Sequence, residues 1–366
     1  MADVQLRVLT NSLRMEPVVA AAAVAEAEAV AAAVAEAEAE LAPDVLPVGG
    51  ERARRLADLS AKLYPGGLVR VGSVGGGKGC VLPAAYVPHV EAVRGMAVRP
   101  DDVWVVAPPK CGTTWMQELV WLLVNNLDFD AAKQQPLVDR FPNLEYSLLL
   151  SEAEEEREPR AAGGFERAQA QAAPRLLKSH LPNDLLPRQL WTAAPKIIYV
   201  AREAKDVAVS YFHHDRLLNG YSGDQDFHFE CFMEDLLIYT PFWDHVLEFW
   251  EMRKQKPNIL FVLFEDMKKD LPATIRKVAK FLGREVSEAQ VVGLSDHLDF
   301  HSMRDNPAVN LVPQLEAERG PLAPEQRFLR RGEVGDGRRV MAPTTAARLD
   351  TWSRQHLAGS DFPWRP

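Results

Sequence analysis

The residues best suited to holding an anion are Pro108-Pro109-Lys110-Cys111-Gly112-Thr113-Thr114-Trp115. The paired prolines stop whatever strand precedes them, and Gly112 lets the backbone approach a ligand closely. Thr113 and Thr114 offer hydroxyls beside the free N–H groups of a first helical turn. Such a turn is a ready anion site, and Lys110 adds a full positive charge at its mouth. A threonine-capped helix with a surface lysine would carry the same residues, so the segment needs company to mean more. Ala201-Arg202-Glu203-Ala204-Lys205-Asp206 supplies it, with Ser210 about two helical turns beyond Arg202. Arg202 and Ser210 could hold a phosphate, the guanidinium through its planar fork. Phe328-Leu329-Arg330-Arg331-Gly332-Glu333-Val334-Gly335-Asp336 sets a basic pair on a loop that glycines keep pliable. Taken alone it reads as a solvated charge cluster.

Other segments imitate chemistry without supporting it. Gly72 to Gly79 nearly matches G-x-x-x-x-G-K-[ST], but ends in Gly where a magnesium-binding hydroxyl is needed. Pro83 follows where a helix would have to run, so the segment reads as a glycine-rich turn. His213-His214-Asp215 has metal-ligand residue types, yet adjacent histidines point different ways on a helix. Neither H-E-x-x-H nor G-x-S-x-G occurs, which leaves zinc-protease and serine-hydrolase readings without support.

The elements that must position these residues alternate. Apolar runs at 103–107, 197–200 and 259–264 read as short strands. Helical patterns follow, to about Asn126, from Lys205 to about Leu218, and from Asp266 through Leu282. Fully apolar strands alternating with helices predict an α/β fold, a central parallel sheet flanked by helices on both faces. Ligands of such sheets lie beyond the carboxyl ends of the strands, here after Ala107, Ala201 and Phe264. The connector 128–177 reads as a surface excursion or lid with no assigned secondary structure.

The chain has 366 residues, a net charge of −9 and 47% hydrophobic residues, enough for one large or two medium domains. Its acidity argues at first against nucleic acid or any polyanion. Residues 16–50, however, hold seven acids and no Lys or Arg, and 152–158 hold five acids and one Arg. The remainder is close to neutral. A-A-A-V-A-E-A-E-A occurs at 21–29 and again at 31–39, so 1–50 reads as an Ala/Glu-rich tail, disordered or partly helical. Residues 51–366 read as the domain. Three cysteines exclude a disulfide framework and point to a reducing cytoplasm. No apolar stretch long enough for a membrane span and no secretory signal is seen.

Taken together, the three basic segments resemble those of the cytosolic sulfotransferases, which use 3′-phosphoadenosine 5′-phosphosulfate (PAPS). P-P-K-x-G-T-T-W resembles that family's 5′-phosphosulfate loop, Tyr199 to Tyr211 its 3′-phosphate segment, and F-L-R-R-G-E-V-G-D its R-K-G-x-x-G-D loop. Leu177-Lys178-Ser179-His180-Leu181-Pro182 is similar to its K-x-H-L-P segment. The similarity runs from about Tyr64 to the C-terminus and implies a single P-loop-like domain. It implies sulfuryl transfer from PAPS, without a metal, to a hydroxyl or amine of a small hydrophobic acceptor such as a phenol or steroid.

The same resemblance makes His180 the general base, and Lys110 the group that neutralises the leaving bisphosphate. Lys178, two residues before His180 in an extended segment, faces the same side and could steady the transferring group. Donor binding falls to Lys110, Cys111, Gly112, Thr113, Thr114 and Trp115, the last stacking on adenine. Arg202, Ser210, Arg330, Arg331 and Gly332 surround the 3′-phosphate, with Phe264, Phe300, Met303 and Phe328 completing the nucleotide pocket. Tyr86, Phe141, Tyr146, Phe212, His214 and Tyr239 could line an acceptor pocket, and each has core packing as its alternative.

Four departures accompany the resemblance. Phe264 stands for Tyr, Leu298 and Asp299 for Thr or Ser, Arg331 for Lys, and Gly337 for Trp. An acid at Asp299 is expected to weaken donor binding, and Gly337 to loosen its loop. A homodimer is the family's habit, although 338–347 does not clearly match its C-terminal dimer segment. No nucleic-acid partner is expected. A silent ligand-binding protein and a P-loop-type kinase remain the alternatives.

Overall fold

The computed structural model describes residues 45–60, 66–72, 79–151, 158, 163–323 and 326–364. The Ala/Glu repeats, the glycine-rich segment at 73–78 and nearly all of the acidic run at 152–158 lie outside the described residues. Strands β1 (Val45–Pro47), β2 (Leu68–Val71) and β3 (Cys80–Pro83) form a small antiparallel sheet in that order. Strands β4 (Val103–Val106), β5 (Leu176–Ser179), β6 (Lys196–Ala201) and β7 (Ile259–Leu263) form a parallel sheet ordered β5-β4-β6-β7, with helices packed around it. This is the α/β architecture that the alternating pattern predicts, consistent with the P-loop-like domain that the resemblance implies.

Composition explains the parallel sheet. All four residues of β4 are buried, as are five of the six in β6, so these strands read as continuous apolar runs. Trp104 and Tyr199 are fully buried, and the Tyr199 ring stacks on Phe249 at 4.4 Å and Phe261 at 4.9 Å. Each ring so buried contributes about 1.5–3 kcal/mol. Helix α1 (Thr113–Val124) follows β4 and buries most of its length, including Glu118. That carboxylate is matched by Arg140 at 2.8 Å and His297 at 2.7 Å. Helix α2 (Ala204–Leu218) follows β6. The helical stretch after β7 is two helices, Phe264–Lys269 and Leu271–Phe281. Asp270 caps the second through Ala273 N at 2.9 Å, and Pro272 favours a fresh start there. Near the C-terminus, α3 (Asp336–Val340) and α4 (Pro343–His356) pack on α2. Among the described residues, no helix is long and apolar enough to cross a membrane.

Strands β1, β2, β3 and β5 lie outside the three apolar runs read as strands, and β1 and β5 show why. All of β1 precedes the tail boundary expected at residue 50, yet it pairs with β2, and Val48 N donates to Leu68 O at 3.0 Å. Backbone hydrogen bonding rather than burial holds this strand, since Leu46 is 60% exposed. β5 hides at the end of the connector, too short to stand out. It is fixed from outside by Arg175, whose Nε and Nη2 bond the Asp102 carboxylate at 2.8 and 2.6 Å, with both side chains buried. That fork ties the start of β5 to the start of β4, where Val103 N also donates to Arg175 O.

Removing one member of such a pair strands a buried charge, a loss of about 3–5 kcal/mol. Arg175→Leu is therefore expected to lower the urea midpoint by that equivalent. The double variant Asp102→Leu/Arg175→Leu should recover most of it; equal destabilisation in both variants would contradict the pairing.

Candidate active site

Parallel register brings the strand ends level: Val106 stands opposite Ser179 on one side and Tyr199 on the other. The next residues on each strand therefore share one edge. After β4 the chain turns sharply, with Lys110 at φ 68° and Gly112 at φ 101°, and α1 begins without a side-chain cap. A Cβ on Gly112 would come within 2.7 Å of the Phe264 ring, so the loop is folded tightly onto the end of β7. The Lys110 ammonium lies 4.2 Å from the centre of the Phe328 ring. Cys111 points into the core, where burial pushes its thiol up, so only its backbone can serve a ligand.

His180 is fixed on three sides. Its Nδ1 lies 2.6 Å from the carbonyl of Ala107, and a carbonyl only accepts, so Nδ1 carries the proton and Nε2 is the basic nitrogen. Its backbone N–H donates to Glu145 Oε1 at 2.8 Å, and the same oxygen accepts from Tyr239 Oη at 3.1 Å. Its carbonyl accepts from His245 Nε2 at 3.1 Å, and Tyr199 Oη bonds His245 Nδ1 at 2.8 Å. Glu145 reaches this place because Pro142 to Leu144 lie alongside Lys178, with Lys178 N donating to Pro142 O and Leu144 N to Lys178 O.

Burial and the neighbouring cations set the charge state. Burial, then Lys178, hold the His180 imidazole well below its ordinary range. Burial brings Lys178 down to about 8. Burial, Lys178 and Arg202 bring Lys110 down to about 7, with Arg330 adding to the effect. Neither lysine has a carboxylate in ion-pair range among the described residues.

The arginines differ in this respect. Arg202 donates to Glu333 O at 2.8 Å, lies 3.5 Å from Asp206 and stacks over Phe264 at 4.2 Å, while its buried Nε has no partner. Asp206 also accepts from Gly335 N at 2.9 Å and Gly337 N at 2.8 Å, docking the basic loop onto α2. Arg330 and Arg331 both pair with the buried Asp336. Gly332, at φ 61°, packs so closely on Phe300 that a Cβ would overlap the ring at 2.3 Å. Gly337 does not loosen the loop as expected. Its Cβ position lies 2.6 Å from Lys205 Cβ and 2.7 Å from the Lys205 carbonyl carbon, so the missing side chain lets α3 lie directly on α2.

One cavity of about 290 Å³ collects these groups. Lys110, Gly112, Thr113, Thr114 and Trp115 line it from the first loop, and Lys178 and His180 from the end of β5. Arg202, Ser210 and Phe264 follow β6 and β7, and Phe300, Met303, Phe328, Arg330, Arg331 and Gly332 close the far side. Tyr146, His214 and Tyr239 also reach it. Tyr86, Phe141 and Phe212 do not: all three are buried in the core, the alternative that aromatic residues near a site always carry. Asp299 does not line the cavity either; its carboxylate caps the helix Phe300–Asp305 through His301 N at 2.8 Å. Leu298 does. The sequence reading missed Glu145, His245 and the docking role of Asp206. Asp206 stood inside a quoted motif, whereas nothing local marked the other two. His213 and His214 diverge as expected, only His214 facing the cavity, and no metal-ligand cluster occurs among the described residues.

A sulfotransferase-domain profile matches residues 100–361. Luciferin sulfotransferase of Photinus pyralis is 37% identical over 291 residues, covering 77% of this chain and 78% of that protein. The chain belongs to the sulfotransferase family. Sulfotransferase 1C2 of Homo sapiens is 32% identical over 287 residues, covering 78% of this chain and 93% of that one. Among solved structures, retinol dehydratase in complex with retinol and PAP superposes with a TM-score of 0.77 at 30% identity. That match covers 88% of this chain and 99% of that one. This sulfotransferase is thus an enzyme, and the kinase alternative falls away.

The close seat of Gly337 is testable. Gly337→Ala forces a methyl against the Lys205 backbone, and overpacking of this kind costs about 1–3 kcal/mol. Urea unfolding of the variant should show that loss; unchanged stability would mean α3 is not seated on α2 as described.

Proposed function

We propose that this sulfotransferase moves the sulfuryl group of PAPS to a hydroxyl or amine of a small hydrophobic acceptor. The observation that carries the reading is the pair of half-buried ammonium groups, Lys110 and Lys178, in the wall of one cavity beside the buried, neutral His180. Desolvated cations without carboxylate partners favour an anionic ligand. Two buried donors without partners, Arg202 Nε and Trp115 Nε1, fit the same ligand, one suited to phosphate and the other beside the stacking wall. PAP in the similar retinol dehydratase structures supports the nucleotide's identity.

The donor supplies an activated sulfuryl group on a phosphate leaving group. Lys110 and the N–H groups that open α1 offset the negative charge that grows as that bond breaks. Lys178 neutralises the transferring oxygens. His180 takes the acceptor proton at Nε2, because Nδ1 is committed to Ala107. Arg202, Ser210, Arg330 and Arg331 hold the 3′-phosphate, with Trp115, Phe264, Phe300 and Met303 around the adenosine. Tyr146, Leu149, Ile238 and Tyr239 give the acceptor a largely apolar wall, the two tyrosine hydroxyls being engaged by Glu158 and Glu145. This suits a phenol or steroid, in line with the androsterone held by retinol dehydratase. Three free, buried cysteines support a cytoplasmic location.

Transfer of labelled sulfate from PAPS to a panel of phenols and sterols tests the reading. No product from any acceptor, with PAP still bound, would favour a silent binding protein. His180→Ala should abolish transfer while leaving PAP affinity intact. Because His180 is held neutral in the free enzyme, the acid limb of kcat/KM should lie well below pH 6.5.

Anion affinity should fall with rising pH. PAP binds the protonated lysines, so its Kd rises above the free-enzyme value of Lys110, about 7, as Lys110 and then Lys178, about 8, deprotonate. Calorimetry between about pH 6 and pH 9 should show at least about tenfold weakening. A flat profile up to the ordinary lysine range would contradict the assignment.

A further inference from the structure

Sulfuryl transfer as derived leaves one cavity-facing imidazole without a task. His214, on α2, lines the cavity with a side chain 22% exposed, and its Nδ1 lies 3.2 Å from Asp215 Oδ1. The Asp215 carboxylate also accepts from His228 Nε2 at 2.8 Å and from Asn219 Nδ2 at 2.8 Å. Burial would raise its pKa, but the hydrogen bonds from His214 and His228 outweigh it and hold the group at about 2. An ionised carboxylate only accepts, so His214 Nδ1 must carry the proton, leaving Nε2 as a bare lone pair. His228 anchors the chain from behind. It is fully buried against the rings of Tyr211, Phe212 and Tyr221, and its Nδ1 has no partner, consistent with the proton at Nε2.

The series His228–Asp215–His214 thus runs from the core to the cavity wall and fixes one tautomer at its outer end. Burial and Lys110 keep His214 uncharged, at about 4. A neutral ring of this tautomer accepts a hydrogen bond through Nε2 and offers no donor there. It would favour an O–H or N–H and give nothing to an ether or carbonyl. We infer that His214 is a specificity-determining residue that selects acceptors with a second hydrogen-bond donor, a hydroxyl or amine separate from the group His180 deprotonates. The acceptor class is then hydrophobic diols, aminoalcohols and polyhydroxylated aromatics. Asp215 is the positioning residue, since it reaches the acceptor through the His214 ring. This inference rests on the sulfuryl-transfer reading for the identity of the reacting group.

The test uses the full chain saturated with PAP and a matched set of probes: 2-naphthol, the 2,3-, 2,6- and 2,7-naphthalenediols, and their mono-methyl ethers. Calorimetric binding to the wild-type protein should favour at least one diol over both 2-naphthol and its own methyl ether by about tenfold, one hydrogen bond to a neutral group. A methyl ether that binds as tightly as its diol overturns the inference without any mutant. With PAPS, His214→Phe should erase the diol preference through KM, and His214→Gln, which keeps an acceptor oxygen, should restore part of it. An unchanged diol preference in His214→Phe also overturns the inference, as does a change in PAP affinity, which would assign His214 to Lys110 and the donor instead. Loss of kcat on every acceptor at unchanged PAP affinity would make His214 part of the proton transfer and not a selector. Absence of all turnover by the wild-type protein would sink the transferase reading alone, because the binding comparison still decides the role of His214.

Discussion

The hydrogen bond from His180 Nδ1 to the carbonyl of Ala107 is the contact on which the site depends. It joins the residue after β5 to the residue after β4, so it exists only if those strands are adjacent, parallel and in register. The same register sets the first loop, Arg202 and Phe264 along one edge. The bond also decides chemistry, since a proton held at Nδ1 leaves Nε2 as the only basic nitrogen. A one-residue slip of β5 would turn His180 to the opposite face and present Ser179 in its place. The Arg175–Asp102 fork at the other end of the same two strands therefore does more than stabilise. It helps hold the register that aims the imidazole.

Charge is distributed around that edge with a clear division. The arginines are held in place by acids already present: Asp206 beside Arg202, Asp336 beside Arg330 and Arg331. Among the described residues the lysines have no such partners, and burial lowers both. An arginine keeps its proton under these conditions, whereas a buried lysine releases its own readily. The site therefore places permanent charge on a preformed scaffold and adjustable charge at the centre. A cavity arranged in this way is less stable empty than an apolar one would be, a familiar cost of function. The net charge of −9 says nothing of it, because the acidic runs lie apart from the site motifs.

The apolar runs of β4, β6 and β7 made the sheet legible in sequence, and the phosphate-type residues after them made the cavity legible too. What escaped notice did so for physical reasons. β5 is short and preceded by an irregular connector, so periodicity could not reveal it. β1 is held by backbone pairing while its side chains face solvent, which composition does not register. Tyr86, Phe141 and Phe212 have the residue type of a pocket wall, but type does not tell which side of a wall a ring occupies. Glu145 lies 35 residues before His180, and only the alignment of Pro142 to Leu144 along Lys178 brings it to the His180 N–H. At Gly337 and Asp299, departures from a family pattern suggested weakness. In the structure Gly337 permits a close helix contact and Asp299 caps a helix.

Two imidazoles face the cavity, and their different supports separate their chemistry. His180 gives its Nδ1 proton to a neutral carbonyl, and His214 gives its own to an ionised carboxylate. A carboxylate behind the ring makes the outer nitrogen the stronger hydrogen-bond acceptor and would stabilise an imidazolium if one formed. Basicity alone would therefore nominate His214 as the base. Position argues the other way. His180 shares its segment with Lys178 and is clamped through ring, N–H and carbonyl, whereas His214 lies on a helix face against Tyr211 and Phe328. A proton acceptor in a transfer reaction must be aimed more narrowly than it must be basic. The ring clamped on three sides is suited to the reacting hydroxyl, and the more basic ring to a group that only has to be recognised.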